Sequence, residues 1–301
     1  MDVHKVTLVR RIAELGNLSA AARDLGFSQP ALTKILARLE DEVGARLFDR
    51  SPRGMTPTPS GRFFLARMER FEAEMRGLSR DLRALGAGRG GEVSLGVGQF
   101  WLGRLLPMAI GRMARMAPNV RFRILTGPRS ESITRLMRGE VDLVLGRIAD
   151  DMPGDLMGEA MADVGMSMVV RAGHPLAQLG RAVRFDDTSA FGWVLPADAD
   201  PTTQYAFVDN GLPTPEAVVL TVAHSLTVAI LLDTDYITVM PEIAGNRLPE
   251  GLCRLPADWL GWSRRAGVIR LRDRTLLPCC DAFVDQLRAV VHEVQRPSGW
   301  T

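Results

Sequence analysis

The chain has 301 residues, 46% of them hydrophobic and 24% charged, with a formal net charge of +2; this is the balance of a globular protein with room for two domains. No run reaches the roughly 18 apolar residues of a membrane span, and the opening MDVHKVTLVRRIAELG has neither the apolar core nor the small-residue cleavage site of a secretory signal, so a cytoplasmic protein without a membrane partner is expected. Cys253, Cys279 and Cys280 are odd in number and lack C-x-x-C spacing, and His4, His174, His224 and His292 are scattered; no disulfide framework, metal or cofactor is expected, and the thiols read as reduced and packed.

Charge is spread unevenly. Residues 1–90 carry 16 Arg and Lys against 11 Asp and Glu, a net +5, and the remainder carries 21 against 24, a net −3. A basic head on a mildly acidic body points the head toward a polyanion. In the head, Val6, Val9, Ile12, Ala13 and Leu15 recur at helical spacing, and Gly16-Asn17 ends the run. Ser19 is expected to cap a short helix over Ala20–Leu25, and Gly26 to turn the chain. Ser28 then caps a third helix from Gln29, where Pro30 is tolerated because a first-turn N–H would be unpaired anyway.

That third helix has two faces. Leu32, Ile35, Leu36 and Leu39 form a core stripe. Gln29, Thr33 and Ala37, and likewise Pro30, Lys34 and Arg38, repeat every fourth residue on the other side. An amide, a hydroxyl, two cations and small apolar groups on one flank are what base edges in a DNA major groove require. Gln pairs with adenine, Arg or Lys with guanine, and apolar groups touch the thymine methyl. Arg46–Arg50 then reads as a strand, Ser51-Pro52-Arg53-Gly54 as a turn and Met55–Thr58 as a second strand. Arg50 and Arg53 sit at that hairpin, within reach of backbone phosphates, which set register and affinity. Helix, turn, helix and wing in this order make double-stranded DNA the expected partner.

The run S-A-A-A-x-x-L-x-x-S-Q-P-A-L-T-K, continued by L-E-x-x-V-G-x-x-L-F-x-R-x-x-R-G and closed by T-P-S-G, resembles the winged helix-turn-helix of LysR-type transcriptional regulators. Val9 stands where that family often has Phe, and Thr33 where it often has Ser. The resemblance implies that Gln29, Pro30, Thr33 and Lys34 read the groove and that Arg38, Arg50 and Arg53 contact the backbone.

After Thr58-Pro59, a cap and a favoured first-turn proline, a long helix is expected. Phe64, Met68, Phe71, Met75, Leu78, Leu82 and Leu85 are separated alternately by 4 and 3 residues, the repeat of a coiled-coil seam. Charged residues fill the intervals, and Gly86-Ala87-Gly88-Arg89-Gly90-Gly91 reads as a hinge. Two chains joined along this seam hold two heads at a fixed spacing over two half-sites. The resemblance agrees, since the family pairs its heads through such a helix, and it further implies a tetramer.

From residue 92 strands and helices alternate. Strands are expected at 93–97, 120–125, 141–145, 164–170, 192–195, 217–221, 236–240 and 268–271, and helices at 102–116, 130–138 and 282–294. This predicts a parallel sheet with helices on both faces, in two lobes with chain crossings near residues 163 and 267. GVGQFWLGRLLP, GEVDLVLGR, RAGHPLA and DYITVMPE resemble the LysR-type effector domain, which is similar to periplasmic binding proteins. Leu232-Asp233-Thr234-Asp235 stands where a glycine pair is common in that family. The fold class is thus α/β overall: a winged helix-turn-helix over 1–58, a linker helix over 59–89 and a two-lobed effector domain over 90–301. Lobe I takes about 92–163 and 268–301, and lobe II about 164–267.

Strand ends and helix starts face such a cleft. The candidate effector-binding residues are Gln99, Phe100 and Trp101 after the first strand, Arg129 and Ser130 before the second helix, and Arg147 after a strand end. Thr202 and Thr203, and His224 with Ser225, each open a helix. Two arginines with several hydroxyls suit a small carboxylate or hydroxylated ligand. Gly96-Val97-Gly98 is followed by Trp101 at the third glycine position, so no dinucleotide fingerprint forms, and G-x-S-x-G, H-E-x-x-H and the P-loop are all missing. A sequence-specific regulator answering a small molecule is expected, with RNA polymerase as a candidate partner. An architectural DNA-binding dimer and an α/β enzyme are the alternatives.

Overall fold

The computed structural model describes residues 3–51, 54–86, 90–150, 152–197, 207–208, 211–242, 248–261 and 263–295. They divide into two compact units, Met1–Arg76 and Gly77–Thr301.

The first unit is built from short local signals. Helices α1 (Val3–Leu15), α2 (Leu18–Asp24) and α3 (Gln29–Val43) bury Val9, Ile12, Leu18, Ala21, Ala22, Leu32, Leu36 and Leu39 against one another. The cap of α2 is Asn17, whose side chain accepts from the Ala20 N–H at 3.0 Å, and not Ser19 as the sequence suggested. The Asn amide oxygen reaches the first turn from just outside it, so Ser19 lies within the helix. Ser28 does cap α3, accepting from the Ala31 N–H at 3.3 Å, and Gly44 ends it in the left-handed conformation with φ +69°. The wing pairs β1 (Phe48–Ser51) with β2 (Gly54–Pro57) in antiparallel register, Arg50 opposite Met55.

Three residues of the wing's frame explain its sequence. The Glu40 carboxylate accepts from the backbone N–H groups of Leu47 (2.7 Å) and Phe48 (3.2 Å), pinning the wing to the end of α3. Thr58 donates to the Arg46 carbonyl at 2.7 Å and accepts from the Gly61 N–H at 2.9 Å, so it caps α4 (Pro59–Gly86) while closing the wing. At Gly61 a Cβ would overlap the Leu47 carbonyl oxygen, so only glycine lets the helix cross there.

Along α4 the heptad stripe serves two purposes. Phe64 and Met68 pack into the core of the head, which corrects their reading as part of a seam. Phe71, Met75, Leu78 and Leu82 remain exposed, between 43% and 58%, in the same 4-3-4 spacing. The side chain of Leu85 lies outside the described residues.

The second unit has one seven-stranded sheet, ordered β10-β6-β11-β5-β3-β4 with β9 also on β6. Strands β3 (Glu92–Val97), β4 (Arg121–Thr126) and β5 (Leu143–Arg147) are parallel. Strands β6 (Leu156–Arg171), β9 (Thr238–Glu242), β10 (Leu252–Leu255) and β11 (Ser263–Leu271) add antiparallel pairs. The sheet is therefore mixed, not parallel as expected. The two short strands expected at 164–170 and 268–271 are the ends of long ones: β11 pairs with β6 from Leu156 to Gly165, and β6 then continues to pair with β9 and β10. These two strands carry the chain between the lobes.

In lobe I, helices α6 (Leu105–Met116) and α9 (Pro278–Gln295) cover one face of β3 with Leu106, Ala109, Met113, Phe283, Leu287 and Val291. Helix α7 (Arg129–Met137) covers the other. The single helix expected over 102–116 is two, α5 (Gln99–Leu102) and α6, parted at Gly103-Arg104. In lobe II, β7 (Trp193–Leu195) and β8 (Ala217–Leu220) form a small parallel pair, and α8 (His224–Asp233) buries Leu231 against Val169 and Met240. Its core is aromatic, with ring centroids of Phe185, Trp193, Phe207 and Trp259 between 5.2 and 6.3 Å apart. None of the three cysteines forms a disulfide; Cys279 and Cys280 are buried and Cys253 partly so.

Candidate functional site

Two sites stand out, one in each unit. The first is the outward flank of α3. With Leu32, Leu36 and Leu39 inside, Gln29, Pro30, Lys34, Ala37 and Arg38 are exposed and Thr33 is half-buried. Thr33 Oγ donates to its own helix, to the Gln29 carbonyl at 2.9 Å. Its proton is thereby committed, and the side chain offers a methyl and lone pairs. Arg50 is exposed on β1. Arg53 lies outside the described residues. The flank carries cations and no carboxylate among Gln29, Pro30, Thr33, Lys34, Ala37 and Arg38, while Lys5 and Arg11 of α1 are neutralised by Glu42 at 2.7 Å and by Asp24 at 2.6 Å.

The second site is a cavity of about 800 Å³ between the lobes of the body. It is lined where strands end and helices begin: the β3–α5 corner, the β4–α7 corner, the end of β5, the crossing segments of β6 and β11, and the β8–α8 corner. Gln99, Phe100, Trp101, Arg129, Arg147, His224 and Ser225 all lie on its wall. Trp101 is only 1% exposed, so most of its ring belongs to the lobe I core, and it packs edge-to-face with Phe100 at 5.3 Å between ring centroids. Ser130 is exposed and does not line the cavity, which removes it as a candidate: it is one residue off the wall, and Ser132 faces inward instead. Thr202 and Thr203 lie outside the described residues.

Residues that the sequence did not single out complete the wall, among them Thr126, Ser132, Thr221, Thr227, Thr238 and Arg264. Thr126 and Thr238 could have been found from their places at strand ends. Ser132 sits in the second turn of α7, where nothing in the local sequence distinguishes it from a solvent-facing serine. It is buried because Gly96 of β3 lies against it; a Cβ there would stand 3.1 Å from Ser132 Cβ.

The electrostatics are one-sided. The lining holds Arg129, Arg147, Arg264 and Arg265 and, among the described residues, no Asp or Glu. Arg265 is ion-paired with Asp150, and Arg129 Nε donates to the Arg147 carbonyl at 3.2 Å. Two buried polar atoms on the wall, Ser132 Oγ and Arg147 Nε, have no hydrogen-bond partner among the described residues. Neither α7, after Pro128, nor α8, after Ala223, has a side-chain cap, so N–H groups remain open at both helix starts. Partial burial pushes the His224 imidazole below its ordinary value, leaving it neutral at pH 7. Gln99 Nε2 reaches the Val222 carbonyl at 3.5 Å, a contact between the two lobes across the cavity.

A winged helix-turn-helix head in the same chain as a two-lobed domain with a ligand-sized cavity defines a DNA-binding regulator with an effector-binding domain. Residues 4–62 match the family described as bacterial regulatory helix-turn-helix protein, lysR family, and residues 86–291 match the LysR substrate binding domain. The chain belongs to the LysR family of transcriptional regulators. It is 31% identical over 293 residues to the HTH-type transcriptional regulator GalR of Pseudomonas putida, covering 94% of this chain and 72% of that one. To GbpR of Azospirillum brasilense it is 26% identical, covering 96% and 86%. The fold superposes on the LysR-family regulator CbnR with a TM-score of 0.57 at 19% identity, over 97% of this chain and 99% of CbnR. It superposes on full-length OxyR of Pseudomonas aeruginosa with 0.60 at 18%, over 100% and 99%. CbnR has also been solved with its target DNA. No helix among the described residues is long and apolar enough to cross a membrane.

Proposed function

We propose that the chain selects its operator with the exposed flank of α3 and releases or tightens that grip when an anionic small molecule fills the inter-lobe cavity. Gln29, Pro30, Thr33 and Lys34 touch base edges; Arg38, Arg50 and Arg53 take backbone phosphates. The observation that carries the DNA half is the burial split of α3: Leu32, Leu36 and Leu39 are buried, while Gln29, Pro30, Lys34 and Arg38 on the opposite flank are exposed. A second copy joins along Phe71, Met75, Leu78 and Leu82, whose exposure in a single chain leaves apolar area that pairing removes from water. Higher assembly follows from dimers of such dimers. The protein acts in the cytoplasm, on DNA, with RNA polymerase as the downstream partner.

For the cavity, the supporting fact is that the charged groups of its lining, among the described residues, are all arginines. A ligand that bridges both lobes binds one inter-lobe angle better than another, and only such differential affinity can shift the assembly that holds the heads. The cavity also speaks against a purely architectural role, for which no ligand-sized space is needed, and the chain is read as a binder and not a catalyst. The test is a footprint of the full-length protein on an operator selected from random duplexes, with and without effector. Substituting Arg147→Gln should abolish the effector-dependent change and leave the footprint itself intact. An unchanged effector response in that variant would remove the cavity from the mechanism.

A further inference from the structure

The C-terminal half of α4 belongs to the second compact unit, which begins at Gly77. Of the described residues between Phe71 and Leu82, Gly77 alone is buried. The group against it is Arg274, in the loop between β11 and α9: a Cβ at Gly77 would stand 2.8 Å from Arg274 Nη2. A guanidinium on a free side chain would swing clear of such a contact. This one is held. Its Nη1 donates to the Val141 carbonyl at 3.2 Å and its Nη2 to the Asp142 carboxylate at 2.8 Å, and that carboxylate also accepts from the Ser94 N–H at 3.0 Å. The Arg274 and Asp142 side chains are 8% and 3% exposed. The bare backbone at Gly77 therefore lies on a fixed seat in lobe I, and any side chain there would lift the helix or break the ion pair.

That ion pair stands at the far ends of the strands that line the cavity. Strand β5 begins at Leu143, next to Asp142, and ends at Arg147 on the cavity wall. Strand β11 pairs antiparallel with it, carries Arg264, Arg265 and Ala266 on the wall, and ends at Leu271 just before Arg274. The linker is tied a second time beyond the helix. Gly90 N–H donates to the Asn119 carbonyl at 3.2 Å, and the Gly91 carbonyl accepts from the Arg121 N–H at 3.0 Å. The hinge expected over Gly86–Gly91 is thus bonded to lobe I at its last two residues.

From these contacts we infer that Gly77 on Arg274 is a latch. Closed, it fixes the direction of α4 on lobe I; open, it leaves α4 joined to lobe I through the chain alone. Packed contacts of this kind hold or release as a unit, and do not stretch. Because α4 is one helix from Pro59 to Gly86, the state of the latch sets the direction from which the head approaches DNA. Arg274 is a positioning residue: it acts on DNA only through the helix, and it is itself held by the base of the strands that wall the cavity.

Amide hydrogen exchange of the full-length protein, without DNA, tests the latch by a sign. In a helix free of lobe I, Gly77→Leu replaces a poor helix former with a good one and should slow exchange over residues 78–86 by about fivefold. The latch predicts the opposite, exchange faster by about tenfold, because the leucine displaces α4 from its seat. In a background of Asp142→Asn with Arg274→Ala the seat is vacated without leaving a buried carboxylate unpaired; there Gly77→Leu should again slow exchange. Gly77 lies off the stripe of Phe71, Met75, Leu78 and Leu82, so sedimentation of the variant should match the parent. On an operator selected from random duplexes, Gly77→Leu should select the same bases and change the DNA bend, measured by the mobility of circularly permuted fragments.

Slower exchange in Gly77→Leu alone overturns the latch. Faster exchange in both backgrounds assigns the effect to the helix itself and overturns the role of Arg274. Altered sedimentation assigns it to the seam and overturns the seat as its cause. Faster exchange with the parent's bend leaves the contact standing and overturns its part in DNA binding.

Discussion

The head and the body reach the same degree of order by opposite routes. In the head, the contacts that shape helix ends and wing are close in sequence: Glu40 holds Leu47 and Phe48, Thr58 holds Arg46 and Gly61, Asn17 and Ser28 each cap the helix that follows. In the body, the decisive pairings are distant. Strand β11 runs back along β6, pairing Gly267 with Ala160 across 107 residues, and Asp142 of one corner accepts from the Ser94 N–H while pairing with Arg274 at 2.8 Å, both carboxylate and guanidinium buried. Locality decides what each part can do. A locally determined head keeps a fixed surface for DNA, whereas a body assembled from far-apart segments encloses a cavity and can alter it by small movements of whole lobes.

Two glycines put this contrast at risk with the largest effect. A Cβ at Gly61 would overlap the Leu47 carbonyl oxygen, and a Cβ at Gly267 would overlap the Glu159 carbonyl oxygen where β6 and β11 shift register. Both obstacles are backbone, so neither can swing aside. Gly61→Ala should cost upward of about 3 kcal/mol in the head, and Gly267→Ala a similar amount in the body. Urea unfolding of the full chain, followed by operator binding and by effector binding, reads the two separately. Gly61→Ala should lose DNA and keep effector, and Gly267→Ala the reverse. If each variant lost both activities together, the division into two independently held units would be wrong.

Next in size is pairing. Replacing Leu78 and Leu82 with Lys puts four charges into a two-chain seam and should convert the protein to monomers in sedimentation velocity. Operator affinity should then fall by about 100-fold or more, because two tethered heads gain that much from effective concentration. Sedimentation as a dimer with unchanged affinity would assign pairing to another surface. Smaller again are the direct contacts. Gln29→Ala should cost about 1–3 kcal/mol and relax selection at one base position, whereas Arg50→Ala should weaken all duplexes alike and lower the salt slope by about 1. The reverse pattern would exchange the roles of helix and wing.

The same locality governs how much could be read in advance. The helices of the head, the Ser28 cap, Gly44, the wing and the flank of α3 follow from spacing within a few residues. The errors there are small: Asn17 was passed over because Ser19 is an equally good cap, and Phe64 and Met68 fit a heptad without showing that the head uses them first. In the body, the strand ends that line the cavity were legible, so Gln99, Arg129, Arg147 and His224 fell on its wall. The full lengths of β6 and β11 were not. Residues 156–163 alternate weakly, and what makes them a strand is a partner more than 100 residues away. Ser132 was invisible for the same reason, since only Gly96 across the sheet shows which way it faces.

The finest distinction concerns Thr33, where a single methyl is at stake. Its hydroxyl proton is held by the Gln29 carbonyl at 2.9 Å, which leaves the methyl as the group beside the exposed Pro30 and Ala37. The flank therefore presents a small apolar patch suited to a thymine methyl. Thr33→Val keeps the methyl and loses only a hydrogen bond within the helix, so operator affinity should stay close to that of the parent. Thr33→Ser keeps the hydroxyl and loses the methyl, at a cost near one buried CH₂, or about fourfold. Exchanging the contacted thymine for uracil removes the other partner and should cost the parent protein the same factor. In the Ser variant that exchange should cost nothing, because a double-mutant cycle isolates the contact when each change deletes one side of it. A Ser variant as sensitive to uracil as the parent would show that the methyl is read elsewhere on the helix, leaving Thr33 to act through its oxygen.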